Sequence, residues 1–267
     1  MSRRTSAYTR GGSQERTVNA NAARHYARVA GALVAISLLA GGVGESFVPG
    51  KLLVAGDFQA TSLRVAASLS LFRAGFVAYL IEAVCDLSLT AIFYLLLRPV
   101  SRPLSLIAAV FGVFCTSTFA VGEIFYYLAA LPQIDAHFAA ALGPDAVSRF
   151  SYLCLKIYGT IFSIFAGFYG VETMLRGYLF FRSGYFSRVL GGLLLLGGAG
   201  FITKNLCAVF APQYDSMFLV LPMLVAMLGM AVWLPFKGLD RDRLTWLQAQ
   251  NRGDQQKDQR LIGMPPG

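Results

Sequence analysis

Glu45, Glu82, Asp86, Glu123, Glu172 and Lys204 are among the charged side chains that lie inside apolar stretches of this sequence. Any chemistry the chain performs would centre on them, because a charge near the middle of a bilayer costs about 2.5–3.5 kcal/mol on insertion scales and needs a reason to be there. Glu82 and Asp86 are four residues apart, which places both carboxylates on one face of a helix. That pair is a candidate proton or cation site, and the spacing predicts a pH-responsive position with no basic residue within a turn. Glu123 and Lys204 are expected roughly 10 Å below the outer ends of their helices, with Glu45 close to the outer end of its own. A structural reading competes with the chemical one. Lys204 would pair with Glu123 first and Glu45 second, and the helix-two carboxylates would bond Tyr or Ser hydroxyls elsewhere in the bundle. Glu172 stands four residues before Arg176, which predicts a local ion pair.

The absences narrow the chemistry further. Only His25 and His137 are present, which excludes bis-His haem, histidine-rich di-iron sites and an H-E-x-x-H intramembrane protease. No G-x-S-x-G elbow or phosphate-binding glycine loop occurs. Cys85, Cys115, Cys154 and Cys207 sit in or beside apolar stretches without ligand spacing, so they read as small packing residues. Gly191-Gly192 and Gly197-Gly198-Ala199-Gly200 lie within an apolar span and read as helix packing. No enzyme activity, cofactor or metal is expected.

The elements that must position these side chains are membrane helices. The chain is 56% hydrophobic and 14% charged, with a mean hydropathy of +0.57. Soluble domains carry roughly 25% charged residues, so lipid must solvate much of the surface. Six apolar stretches are each near or above the ~20 residues a crossing needs. They run from Val29 to Val48, Phe72 to Leu97, Leu104 to Ala130, Leu153 to Leu175, Val189 to Phe210 and Met217 to Phe236. Prolines 49, 99, 103, 132 and 212 fall near their ends, and Pro222 is expected to kink the sixth. The fold class is therefore an all-α polytopic bundle of about six spans, with short interfacial helices in the outer loops. Asp57 is a candidate cap and Pro144 a candidate first-turn residue there. Residues 1–28 are expected to be a disordered basic tail, 29–236 the membrane domain and 237–267 a polar tail, with Trp246 and its leucines on the membrane surface.

Charge sets the orientation. The net charge is +9, and 17 of the 23 Lys and Arg fall in the two tails and in the loops 98–103 and 176–188. Basic residues collect on the cytoplasmic side, so both termini are predicted inside. The same distribution argues against nucleic acid as a partner. The lipid bilayer is the expected one.

Several short motifs carry a family resemblance. They are the run Gly44 to Leu52 followed by Gly56-Asp57, Leu71-Phe72-Arg73-Ala74-Gly75-Phe76, Cys85-Asp86, Arg98-Pro99-Val100, and Gly177-Tyr178-Leu179 leading to Arg182-Ser183-Gly184. Together they resemble the bacterial membrane family catalogued as domain of unknown function 4386, over about residues 28–236. The resemblance implies a bacterial cytoplasmic-membrane protein of six or so helices and brings no activity with it. Phe180-Phe181-Arg182-Ser183-Gly184-Tyr185 weakly echoes the run at 71–76, as an inverted three-plus-three repeat would, but helix lengths do not otherwise superpose. The function that follows from the sequence is a non-catalytic membrane scaffold or regulator with a structural polar cluster. The alternative is a small ion- or proton-coupled permease that uses Glu82 and Asp86.

Overall fold

A computed structural model describes residues 20–54, 57–214, 216–240 and 242–250. It is about 90% helical, with no strand among the described residues. Six of its helices are long and apolar enough to cross a membrane, at Asn21–Leu52, Leu69–Leu97, Arg102–Leu128, Ala146–Ser183, Arg188–Cys207 and Met217–Phe236. The chain is a multi-pass membrane protein.

The first crossing consists of α1 (Ala20–Gly41), a π-helical segment Gly42–Phe47 and α2 (Val48–Leu52). It begins nine residues before the expected start, so Ala20 to Arg28 is helix and not tail. A stripe of small residues explains the difference. Ala23, Ala27, Ala30 and Val34 recur at helical spacing, and all four are buried in the core. Alanine carries so little hydropathy that this stripe escapes a reading based on strongly apolar residues.

Asp57 caps α3 (Phe58–Ala67) by accepting from the Ala60 amide at 2.9 Å, a separate short helix before α4 (Leu69–Leu97). After α5 (Arg102–Leu128), two short helices follow, α6 (Leu131–Ile134) and α7 (Ala136–Leu142). Asp135 caps α7 through the His137 and Phe138 amides. Gly143 has a positive φ of 77°, which turns the chain so that Pro144 opens α8 (Pro144–Ser183). This helix is 40 residues long, far beyond the expected 153–175. At ~1.5 Å per residue it spans about 60 Å, twice the hydrocarbon thickness. Its extra length at the far end carries Arg176 inside the bundle instead of in a loop. Gly184, at φ 71°, ends it and leads to α9 (Arg188–Phe210). Pro222 does not kink the last crossing. It stands in the first turn of α10 (Leu221–Phe236), after 3-10 turns at Pro212–Tyr214 and Met217–Val220, and the proline inside the helix is Pro235. Residues 242–250 form a further helix, α11, whose Leu244 is buried in the core while Trp246 is 61% exposed.

The six crossings form a closed ring in chain order. The first packs on α4, α4 on α5, α5 on α8, α8 on α9, α9 on α10, and α10 returns to α1. Two apolar clusters fill opposite ends. One, including Phe93, Leu96, Leu97, Phe180, Leu194, Met230 and Leu234, seals the end where α4 finishes and α1 begins. The other, around Phe72, Tyr79, Phe119 and Tyr126, fills the wall between α4, α5 and α8 near the opposite end.

The end of α4 shows how the sealed end satisfies its backbone. The last carbonyls of a helix have no intrahelical partner. Here Ser105 Oγ donates to the Tyr94 carbonyl at 3.1 Å, and Tyr185 Oη donates to the Leu96 carbonyl at 2.6 Å. Burial also pushes the Tyr185 phenol above its ordinary pKa, which keeps the donor protonated. Tyr185→Phe should lower stability on the order of 1 kcal/mol by orphaning that carbonyl. A drop in thermal midpoint of the purified protein would register it, and an unchanged midpoint would contradict the cap.

Candidate functional site

The ring encloses a cavity of about 340 Å³. Its acidic wall comes from the first two crossings. Glu45 is carried by the π-helical segment, a widened turn that often marks functional positions. The close approach of α1 to α4 depends on glycine here. A Cβ on Gly41 would fall 2.6 Å from Glu82 Oε1, and one on Gly44 would fall 3.1 Å from the Tyr79 ring. Asp86, one turn along α4 from Glu82, accepts a hydrogen bond from Ser37 Oγ at 2.8 Å. Glu45, Glu82 and Asp86 all line the cavity. One oxygen of Glu82, Oε2, is wholly buried with no hydrogen-bond partner among the described residues.

The floor is an ion pair. Glu172 accepts from Arg176 Nη2, and both side chains are buried. The guanidinium lies over the Phe93 ring, with Cζ 4.8 Å from its centroid. Gly112 makes room for this group, since a Cβ there would meet Thr90 Oγ1 at 2.6 Å and Glu172 Oε1 at 2.8 Å. The expected local pair is present. What the spacing did not show is that it faces the same cavity as Glu82 and Asp86.

The opposite wall is apolar and polarisable. It carries Phe162, Phe165 and Tyr169 from α8, Phe201 from α9, and Met217, Met223, Met227 and Met230 from the last crossing. Gly42, Glu45, Ser46, Met217 and Leu224 are exposed and gather where the first crossing ends and the last begins. The cavity therefore opens at that end and is closed at the other by the apolar cluster beneath Arg176.

Two expected site residues are arranged differently. Glu123 is 3% exposed on α5, among Tyr79, Tyr126 and Tyr158, and both its carboxylate oxygens lack a hydrogen-bond partner among the described residues. It lies within electrostatic reach of Glu45 and Glu82 but behind the cavity wall. The expected pairing of Lys204 with Glu123 makes no hydrogen bond at Glu123. α8 stands between α5 and α9, so the two residues that share a depth do not share an interface. Lys204 continues the α9 face on which Gly197 meets Met223 and Gly200 meets Leu219, half-buried and outside the cavity lining. Glu45, its second expected partner, faces the cavity instead.

The model of the family described as domain of unknown function (DUF4386) matches residues 29–238. The chain belongs to that family. The matched region takes in the six crossings almost entirely, with Glu45, Glu82, Asp86, Glu123, Glu172 and Arg176 all inside it. No curated protein and no solved structure matches the chain. Membership in the domain of unknown function 4386 family brings no activity with it, and the chemistry must be argued from the cavity itself.

Proposed function

We propose that this family member lies in the bacterial cytoplasmic membrane with both termini inside, and that its central cavity is the solute site of a small ion- or proton-coupled permease. A scaffold, which the sequence alone favoured, needs only satisfied polar contacts and packed interfaces. The observation that supports the permease reading is the 340 Å³ cavity into which Glu45, Glu82 and Asp86 all face. Its volume lies within the ~300–1,000 Å³ typical of small-molecule sites. Its position between helices, open at one end, suits a carrier in one of its two access states. The distribution of basic residues supports this orientation, in which the mouth would lie on the outer side.

Cysteine scanning tests the orientation and the access together. On a background lacking the four native cysteines, single cysteines at Ala141, Ser46 and Leu224 should react with an impermeant thiol reagent in intact cells. Those at Ser101 and at the exposed position of Arg182 should react only once the inner face is exposed. Labelling at 101 or 182 in intact cells would reverse the orientation. Silence at 46 and 224 would mean the cavity is dry. A cysteine at Met230, beside the sealed end, should label from the inner face in inside-out vesicles if access alternates. Its protection from both sides would leave the scaffold as the better account.

A further inference from the structure

We propose that the ligand of this cavity is an amphipathic organic cation, a compact ammonium or similar centre carrying an apolar body. The proposal rests on the reading of the cavity as a solute site and names the class of solute. Three features of the lining carry it. The first is the sign of the charge. Glu45, Glu82, Asp86 and Glu172 line the cavity with Arg176 as their basic counterpart, and Arg176 is already engaged by Glu172. An anion entering would meet carboxylates without a free cation. The second is the dispersal of those carboxylates. They run along the wall from the mouth at Glu45 to the floor at Glu172, and no three His, Cys, Asp or Glu side chains among the described residues converge closely enough to hold a metal ion. A bare divalent cation demands several oxygens at once. A bulky organic cation spreads its charge over a larger surface and needs only a negative wall. The third is the facing wall of four methionines and aromatic rings, surfaces that take up alkyl and aryl groups and favour quaternary ammonium centres.

A second observation points to a ligand beyond the acidic wall. Glu82 Oε2 is a buried oxygen with no partner among the described residues, and a buried polar atom ordinarily has one. Its sister Oε1 is pressed against Gly41, so the group is held in place by packing and not by a hydrogen bond. A cationic centre lodged between Glu82 and Asp86 would sit at the middle of the cavity, with its apolar body against Met223, Met227 and Phe201.

Calorimetric titration of the purified full-length protein in lipid nanodiscs tests this. The probe is benzyltrimethylammonium, and its control is neopentylbenzene, the neutral carbon isostere of the same shape. The cation should bind at least tenfold more tightly than the isostere, and Glu82→Gln should weaken it at least tenfold. If that variant does not fold, Met227→Lys, which places an ammonium on the opposite wall, should abolish binding. Asp57→Asn, outside the bundle, should leave it unchanged. Equal binding of the isostere would overturn the cationic class. So would failure of the probe to bind while cysteines at 46 and 224 still react with the thiol reagent, and that result would leave the solute cavity itself standing. Silence at those cysteines would remove the cavity and the proposal with it.

Discussion

Arg176→Gln should destabilise the protein by about 3–5 kcal/mol, the usual result of removing one partner from a buried ion pair. Glu172 would lose its cation while remaining 2% exposed, with Asp86 within electrostatic reach across the same cavity. The ring of Phe93 would lose the guanidinium stacked on it as well. Pairing Arg176→Gln with Glu172→Gln should recover a large part of the loss, because the double variant leaves no uncompensated charge at that pair. The measurement is the fraction of monodisperse protein after heating, for the wild type, both single variants and the double. Strictly additive losses would show that the two side chains are not coupled.

The second large effect is expected where α8 meets α9. Their approach rests on two reciprocal glycine contacts. A Cβ on Gly170 would lie 2.8 Å from the Gly198 carbonyl, and one on Gly198 would lie 2.6 Å from the Gly170 carbonyl. One further pair repeats the pattern: Gly177 against the Gly191 carbonyl at 2.9 Å, and Gly191 against the Gly177 carbonyl at 2.9 Å. Both pairs are spaced seven residues apart on their helices, so the same face is bare over two turns. Small residues serve membrane helices in this way because lipid supplies no hydrophobic drive to association, and close packing has to replace it. Gly198→Ala should cost about 1–3 kcal/mol, as overpacking generally does, and Gly198→Leu more. Gly192 provides the control. It has no atom within 4 Å of its would-be Cβ, so Gly192→Ala should be neutral or slightly stabilising. Equal damage at 192 and 198 would refute the contact.

These two sites illustrate which parts of the structure were legible beforehand. The glycine runs of α9 announced packing because they interrupt an apolar span, and the Glu172–Arg176 pair announced itself through four-residue spacing. Both are local patterns. The six crossings were legible for the same reason, since hydropathy is read along one helix at a time. What could not be read was which helix stands beside which. Glu123 and Lys204 share a depth in the bilayer, and depth follows from counting residues. Neighbourhood does not, and α8 separates them. The same limit hid the cavity, which exists only once α8 and α10 are placed opposite Glu82 and Asp86. The ends of the helices escape a hydropathy reading for a further reason. Alanine at 23, 27 and 30 and the polar start of α8 continue a helix through sequence that is too weakly apolar to be counted as a span.

The ring has one seam. Five of its six helix contacts join segments that follow one another in the chain, and these can form as each new hairpin enters the bilayer. The sixth, between α1 and α10, joins the first crossing to the last. It closes where Pro235 and Leu234 press on Gly31. Until that closure the cavity wall carrying Glu45, Glu82 and Asp86 has no covering helix on one side. Ser37 and Asp86, which bond between the first and second crossings, are in place from the start and keep one carboxylate engaged through the wait. A chain truncated before residue 217 would thus present an acidic trough to lipid. Charge facing the bilayer interior is costly, so completion of this fold hinges on the arrival of its final helix.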